Sequence, residues 1–153
     1  MLQVIEKDLL DIDEGLIVHQ VNCRGRMGAG VAGQLKEKYP VIYKKYIEVY
    51  NEFINSGETM KLLGTFQIVP INTKLKVVNA FTQFNFGYDG KLYTDYSAIE
   101  SGFNTLKLVN IKKLPVYIPY KYGSGLAGGN FDKVSKIIHS VYPEVIVCHR
   151  KGD

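Results

Sequence analysis

Cysteine is scarce in this chain, with Cys23 and Cys148 the only two. They form neither a CxxC pair nor a metal-ligand spacing, so no disulfide framework and no metal site is expected, and the chain reads as intracellular. Long apolar runs are also missing. Met1-Leu2-Gln3-Val4 opens as a strand rather than as a secretory leader, and no membrane partner is expected. Neither charge sign dominates: 19 Lys and Arg face 15 Asp and Glu, for a net charge of +4. That balance suits an anionic ligand but gives no ground for a nucleic-acid partner. There is no linker, repeat or low-complexity segment, so residues 1–153 read as one domain. What is present is 46% hydrophobic residues, enough for a core without covalent staples.

Glycine is plentiful, and much of it falls in two loops. The first runs from His19-Gln20-Val21-Asn22 through Gly28-Ala29-Gly30-Val31-Ala32-Gly33, after the apolar run Leu16-Ile17-Val18. The second is Gly123-Ser124-Gly125-Leu126-Ala127-Gly128-Gly129, after Val116-Tyr117-Ile118-Pro119. Each is expected at a strand-to-helix transition, where bare backbone N–H groups and a helix start hold phosphate. Two such loops in a small chain point to a pyrophosphate gripped from both sides. Gly28, Gly30 and Gly33 also match GxGxxG, but the loop follows the second expected strand rather than the first. No acid closes a following strand either, because Val41 to Ile54 has helical periodicity. A nicotinamide cofactor is therefore excluded, and no other cofactor is expected.

Hydrophobic periodicity places strands at 2–6, 16–20, 63–70, 76–81, 114–119 and 145–149. Helices are expected at 30–38, 41–54, 95–108 and 131–141, with a hairpin turn at Asn72-Thr73-Lys74. The alternation argues an α/β layered fold with a largely parallel sheet, made mixed by the hairpin. Ligands of such folds gather at the carboxyl ends of strands, where both loops fall.

His19 stands at a strand end beside the first loop. It suits proton transfer or phosphate contact, and equally a core-edge histidine bonded to backbone. Asn22 can bond a ribose hydroxyl with either end of its amide. Asp8 after the first strand reads as a helix cap or as an acceptor for the exocyclic amine of a base. Cys23 reads as a small buried residue before it reads as a nucleophile. Thr94 or Asp95 is expected to cap the 95–108 helix.

Taken together these residues resemble a macro domain, the ADP-ribose-binding module. The resemblance rests on Lys7-Asp8-Leu9-Leu10, the His19–Ala32 loop, Val78-Asn79-Ala80-Phe81-Thr82-Gln83, Tyr93-Thr94-Asp95-Tyr96 and Gly123–Gly129. It is strongest to the branch of ADP-ribose-1''-phosphate phosphatases and terminal ADP-ribose-protein glycohydrolases. It implies a three-layer α/β/α sandwich with a mixed, largely parallel central sheet. By the same likeness Asp8 reads the adenine amine and Leu9 adds backbone contacts. Gly28, Ala29, Gly30, Val31 and Ala32 would cradle the phosphates from one side, and Gly123, Ser124, Gly125, Leu126 and Ala127 from the other. His19 and Asn22 would face the distal ribose as the catalytic pair. Gln83 and Ala127 stand where glycohydrolases carry a lysine and an aspartate. Gln83 cannot form a Schiff base, which leaves Lys91, further along the same loop, as the substitute amine. The implied activity is hydrolysis of ADP-ribose-1''-phosphate to ADP-ribose and phosphate, with His19 as acid or donor and Arg24 and Arg26 as nearby cations. The alternatives are a reader of ADP-ribose without turnover, and a hydrolase that removes ADP-ribose from modified proteins.

Overall fold

The computed structural model describes residues 1–153. Six strands form one sheet: β1 (Gln3–Glu6), β2 (Gly15–Val21), β3 (Phe66–Pro70), β4 (Leu75–Phe81), β5 (Val116–Pro119) and β6 (Ile146–His149). Their spatial order is β1-β6-β5-β2-β4-β3. Every neighbouring pair is parallel except β3 with β4, the hairpin. Asn72 makes that hairpin turn, its Oδ1 accepting from the N–H groups of Lys74 and Leu75.

Four helices cover the two faces. On one face α1 (Gly30–Lys38) and α2 (Val41–Asn55) bury Leu35, Ile42 and Tyr46 against Ile17, Val77 and Phe81. On the other α3 (Tyr96–Val109) and α4 (Phe131–Val141) bury Ile99, Phe103, Val134 and Ile138 against Leu16, Val18 and Ile118. The architecture is thus the expected α/β/α sandwich. β2 lies inside the sheet, so both its faces are covered, and its alternation sends Ile17 and Val21 one way and Leu16 and Val18 the other. The same alternation continues into His19 and Gln20 and sends those two polar side chains to opposite faces.

The helix starts are set by their caps. Asp95 Oδ1 accepts from Ala98 N–H at 2.9 Å and Asn130 Oδ1 from Lys133 N–H at 3.1 Å. Two short 3₁₀ turns, Leu9–Asp11 and Thr59–Leu62, carry no hydrophobic period and were not expected. No helix is long and apolar enough to cross a membrane.

Candidate functional site

Both glycine loops open onto one cavity of about 600 Å³. Gly28 to Ala32 form one wall; Gly123, Gly125, Leu126 and Ala127 form the other. The N–H groups of Gly30, Val31 and Ala32 open α1 and have no acceptor within the chain. Those of Gly125, Leu126 and Ala127 have none either. Two rows of unpaired amides therefore face a shared space, one of them at the positive end of a helix dipole.

The first wall is held from beneath. Asn22 Nδ2 donates to the Arg26 carbonyl at 2.8 Å, and Asn22 Oδ1 accepts from Arg24 N–H at 3.0 Å and from the Tyr46 hydroxyl at 2.8 Å. Asn22 lines the cavity, with one amide hydrogen left for a ligand. Gly33 closes the arrangement from the helix side, since a Cβ there would lie 2.9 Å from the Gly28 backbone.

The second wall is tied by a chain of hydrogen bonds on the α3/α4 face. The Tyr122 hydroxyl and Thr82 Oγ1 lie 2.7 Å apart, and Thr82 Oγ1 donates to Gln20 Oε1 at 2.7 Å. Thr82 has a single proton, so Tyr122 is the donor in the first bond. Gln20 Nε2 then donates to Thr94 Oγ1 at 3.1 Å and to Gln83 Oε1 at 3.0 Å, and Thr94 Oγ1 donates to the Gly123 carbonyl. Burial pushes the Tyr122 hydroxyl far above its ordinary pKa and keeps it protonated.

His19 requires a correction. It lines the cavity but is only 1% exposed, and its Nε2 lies 2.7 Å from Asn79 Oδ1. Asn79 Nδ2 donates to the Ile42 carbonyl and to Gln67 Oε1, both at 3.0 Å. The amide oxygen is thereby the end that faces His19, which fixes Nε2–H as donor and Nδ1 as the lone-pair nitrogen. Nδ1 is buried with no partner. Burial pulls the imidazole pKa down to about 4, against a smaller opposite effect of Asn79. At neutral pH His19 is uncharged and its one proton is committed to Asn79. The expected role of acid or phosphate donor does not fit that state.

Three further expectations are revised. Ser124 does not line the cavity; its hydroxyl donates to the Lys121 carbonyl at 2.7 Å. Lys91 does not line it either, and its ammonium lies 3.8 Å from Asp89 at the surface. The second loop is not a helix start, because α4 begins at Phe131 with its own cap at Asn130, and neither residue lines the cavity. Gln83 does line it, but with its side chain held by Gln20 and by the Asn85 carbonyl. Arg24 lies off the cavity, 5.8 Å from the Phe84 ring centroid. Cys23 is fully buried, and burial raises its thiol pKa to about 12, so it is no nucleophile.

Asp8 and Leu9 line a second cavity, of about 230 Å³. The two cavities share Val31, Pro119, Tyr120 and Lys121 and together form a bent cleft. Asp8 caps the first 3₁₀ turn through Leu10 N–H at 2.9 Å, as the capping reading required. Its other oxygen is 3.9 Å from Arg150 and faces this second cavity. Arg26 lines the larger cavity as the nearby cation expected there, whereas nothing in the sequence pointed to Lys36 as a lining cation or to Tyr43 and Tyr120 as lining rings. No carboxylate lines the larger cavity.

This architecture defines an α/β/α domain with a cleft between two backbone-amide walls. The chain matches no protein-family profile. It is 32% identical over 129 residues to the "Uncharacterized 17.5 kDa protein in tk-vs intergenic region" of Enterobacteria phage T4, covering 80% of this chain and 76% of that protein. It is also 36% identical over 56 residues to an ADP-ribose 1''-phosphate phosphatase of Ajellomyces capsulatus, a match spanning 36% of this chain and 22% of that phosphatase. Among solved structures, a Bacteroides thetaiotaomicron protein of unknown function aligns with a TM-score of 0.83 at 27% identity, over 97% of this chain and 98% of that one. The macrodomain of Mycobacterium tuberculosis DarG aligns with a TM-score of 0.77 at 23% identity, over 100% and 99% of the two chains. Thermosipho africanus DarTG in complex with ADP-ribose aligns with a TM-score of 0.76 at 18% identity, over 98% of this chain and 42% of that one. The fold is that of a macro domain.

Proposed function

We propose that this protein binds ADP-ribose in the bent cleft, with the adenine end in the smaller cavity and the diphosphate between the two loops. The observation that carries the reading is the pair of amide rows, Gly30–Ala32 and Gly125–Ala127, left without acceptors across one cavity. Six unpaired donors suit a group rich in acceptor oxygens, and the α1 dipole adds to the attraction for an anion. Asp8 faces the smaller cavity, where an adenine amine would reach it. Asn22 keeps an amide hydrogen free for a hydroxyl of the distal ribose. The Thermosipho africanus protein solved with ADP-ribose, of the same fold, is consistent with this ligand.

The distal end favours a phosphate on the ribose, as in ADP-ribose-1''-phosphate. Arg26 and Lys36 line the larger cavity, and no acid opposes them there. Hydrolysis of that phosphate is the second reading, favoured by these cations and by the partial likeness to the fungal phosphatase. Its catalysis would rest on charge stabilisation by Arg26, Lys36 and backbone amides rather than on proton donation by His19. His19 would then act as a neutral acceptor for a hydroxyl or a water. A lysine route to ADP-ribosylated proteins has no support at Gln83 or Lys91.

Calorimetry with ADP-ribose and ADP-ribose-1''-phosphate, run beside an assay for released phosphate, separates the readings. Binding of both ligands, tighter for the phosphorylated one, is expected. Phosphate release that survives His19→Gln would support hydrolysis through the cations. Absence of binding by the wild-type protein would remove the assignment.

A further inference from the structure

We infer that Lys121 recognises the charged bridge of a ligand that spans both cavities, and so selects diphosphate-linked nucleoside sugars over uncharged nucleosides. The inference rests on the ADP-ribose reading and names a recognition residue within it. Lys121 is the one cation that lines both cavities. Arg26 and Lys36 reach only the larger one and Arg150 only the smaller. Arg150 lies against Asp8 and Asp153, and the Lys36 ammonium sits 3.9 Å from the Tyr43 ring centroid, whereas the Lys121 ammonium is 5.6 Å from the Tyr120 centroid. Lys121 is exposed and joins no ion pair.

Its backbone is equally unusual. Nine glycines have positive φ, and the only other residues that do are Lys113 and Lys121, the latter at 62°. The left-handed turn at Lys121 falls between two committed rings. Tyr120 stacks on His149, with centroids 3.9 Å apart, and Tyr122 is buried beside Thr82. Glycine would make the same turn without a steric penalty. A lysine there brings a cation to the seam of the cleft, which Val31 in the first turn of α1 also lines and where the bridge of a spanning ligand must pass. Lys113 has the same backbone state but lies between α3 and β5 and lines neither cavity, which makes it the internal control.

The test is calorimetric titration of ADP-ribose into the wild-type chain, Lys121→Met, Lys121→Gly and Lys113→Met, at low and high salt, with a thermal melt of each. Lys121→Met and Lys121→Gly should each weaken binding about tenfold at low salt and flatten its salt dependence. Lys121→Gly should melt at or above the wild-type temperature, by about 2 °C, so its weaker binding is not a folding defect. Lys113→Met should bind as wild type does. Wild-type affinity in both Lys121 variants, or an equal loss in Lys113→Met, overturns the inference and leaves ADP-ribose binding standing. Failure of the wild-type chain to bind ADP-ribose overturns the parent reading and this inference together.

Discussion

The two walls of the cleft present the same chemistry by different means. The first is the start of a helix, so its amides are free because any α-helix leaves its first N–H groups unpaired. Its position depends on side chains: Asn22 in the loop and the Tyr46 hydroxyl reaching up from α2. The second wall is not a helix start. It is a coil folded on itself, with Gly128 N–H donating to the Gly125 carbonyl and Gly129 N–H to that of Gly123. Its amides have no acceptor in the turn, and its position depends on close backbone packing together with the Thr94 hydroxyl that holds the Gly123 carbonyl. Tyr93 and Thr94 both donate their N–H groups to the Ala127 carbonyl. The first wall should therefore yield to polar side-chain changes, and the second to added methyl groups as well.

The largest effect is expected at Gly128. It has φ of 74°, and a Cβ there would lie 2.4 Å from the Lys91 carbonyl oxygen. The backbone conformation alone costs a side chain about 1–2 kcal/mol, and overpacking against main chain about 1–3 more. Gly128→Ala should destabilise the protein by about 3–4 kcal/mol in urea unfolding. Gly125→Ala, with open space around its Cβ and no positive φ, is the matched control and should change stability little. If both variants unfold at the same urea concentration, the second wall is not held by close backbone approach.

Acid should act on the floor beneath the first wall. His19 is the buried group there, with a folded pKa of about 4 against 6.5 when unfolded. Its folded pKa is depressed, so the unfolded chain binds the proton first and stability falls as pH drops below 6.5. The loss continues to about pH 4 and levels below it, amounting to about 3 kcal/mol. Unfolding free energies of wild type and His19→Gln between pH 7 and 4 measure this, and the variant should lack that part of the slope. Identical slopes would mean that His19 is not buried as a neutral ring. The floor beneath the second wall holds Tyr122, protonated throughout this range, so acid leaves it unchanged.

Much of this contrast was readable in the residues, and the unread part has a common cause. Helices α1 and α4 fall at the expected residues because apolar residues recur with helical period across 30–38 and 131–141. The glycine loops were legible because clustered glycine at a strand end has few other uses. Apart from Ser124, which a local turn decides, the sites misread were those decided by partners distant in sequence. His19 was placed at the mouth of the cleft, but burial keeps it neutral, and what fixes its tautomer is Asn79, sixty positions away on β4. Ser124 sits inside a loop that lines the cavity, yet its own hydroxyl turns to Lys121. Lys36 and Tyr43 lie on separate helices, and only the packing of α1 on α2 brings them to the cavity. The positive φ of Lys121 has no signature in sequence, because lysine is a poor marker for a left-handed turn.

A moderate effect is expected where the first wall rests on α2. The Tyr46 hydroxyl contacts Asn22 twice, at the carbonyl and at Oδ1. Tyr46→Phe removes that donor and leaves two acceptors less well satisfied, at a cost of about 1–2 kcal/mol. The ring, stacked on Phe81 with centroids 5.4 Å apart, stays in place. ADP-ribose affinity should fall further than stability alone explains, since Asn22 and the Gly28–Ala32 amides lose their support. A variant as stable as wild type with unaltered affinity would show that the first wall holds itself.

The smallest effect, at Ser124, discriminates best between wall and ligand contact. Ser124 belongs by sequence to the glycine loop that grips the phosphates. By geometry it is turned away, with its N–H and its hydroxyl both donating to the Lys121 carbonyl. Ser124→Ala keeps the first of these bonds and deletes the second, a partly exposed neutral pair worth about 0.5–1 kcal/mol. Affinity should then stay within twofold of wild type, because the amides of Gly125, Leu126 and Ala127 keep their directions. A direct phosphate contact from the hydroxyl would give the opposite pattern, with affinity falling several-fold and the melting temperature unmoved. Measuring both on one preparation decides whether the second wall binds through side chains at all, or only through the main chain that glycine leaves bare.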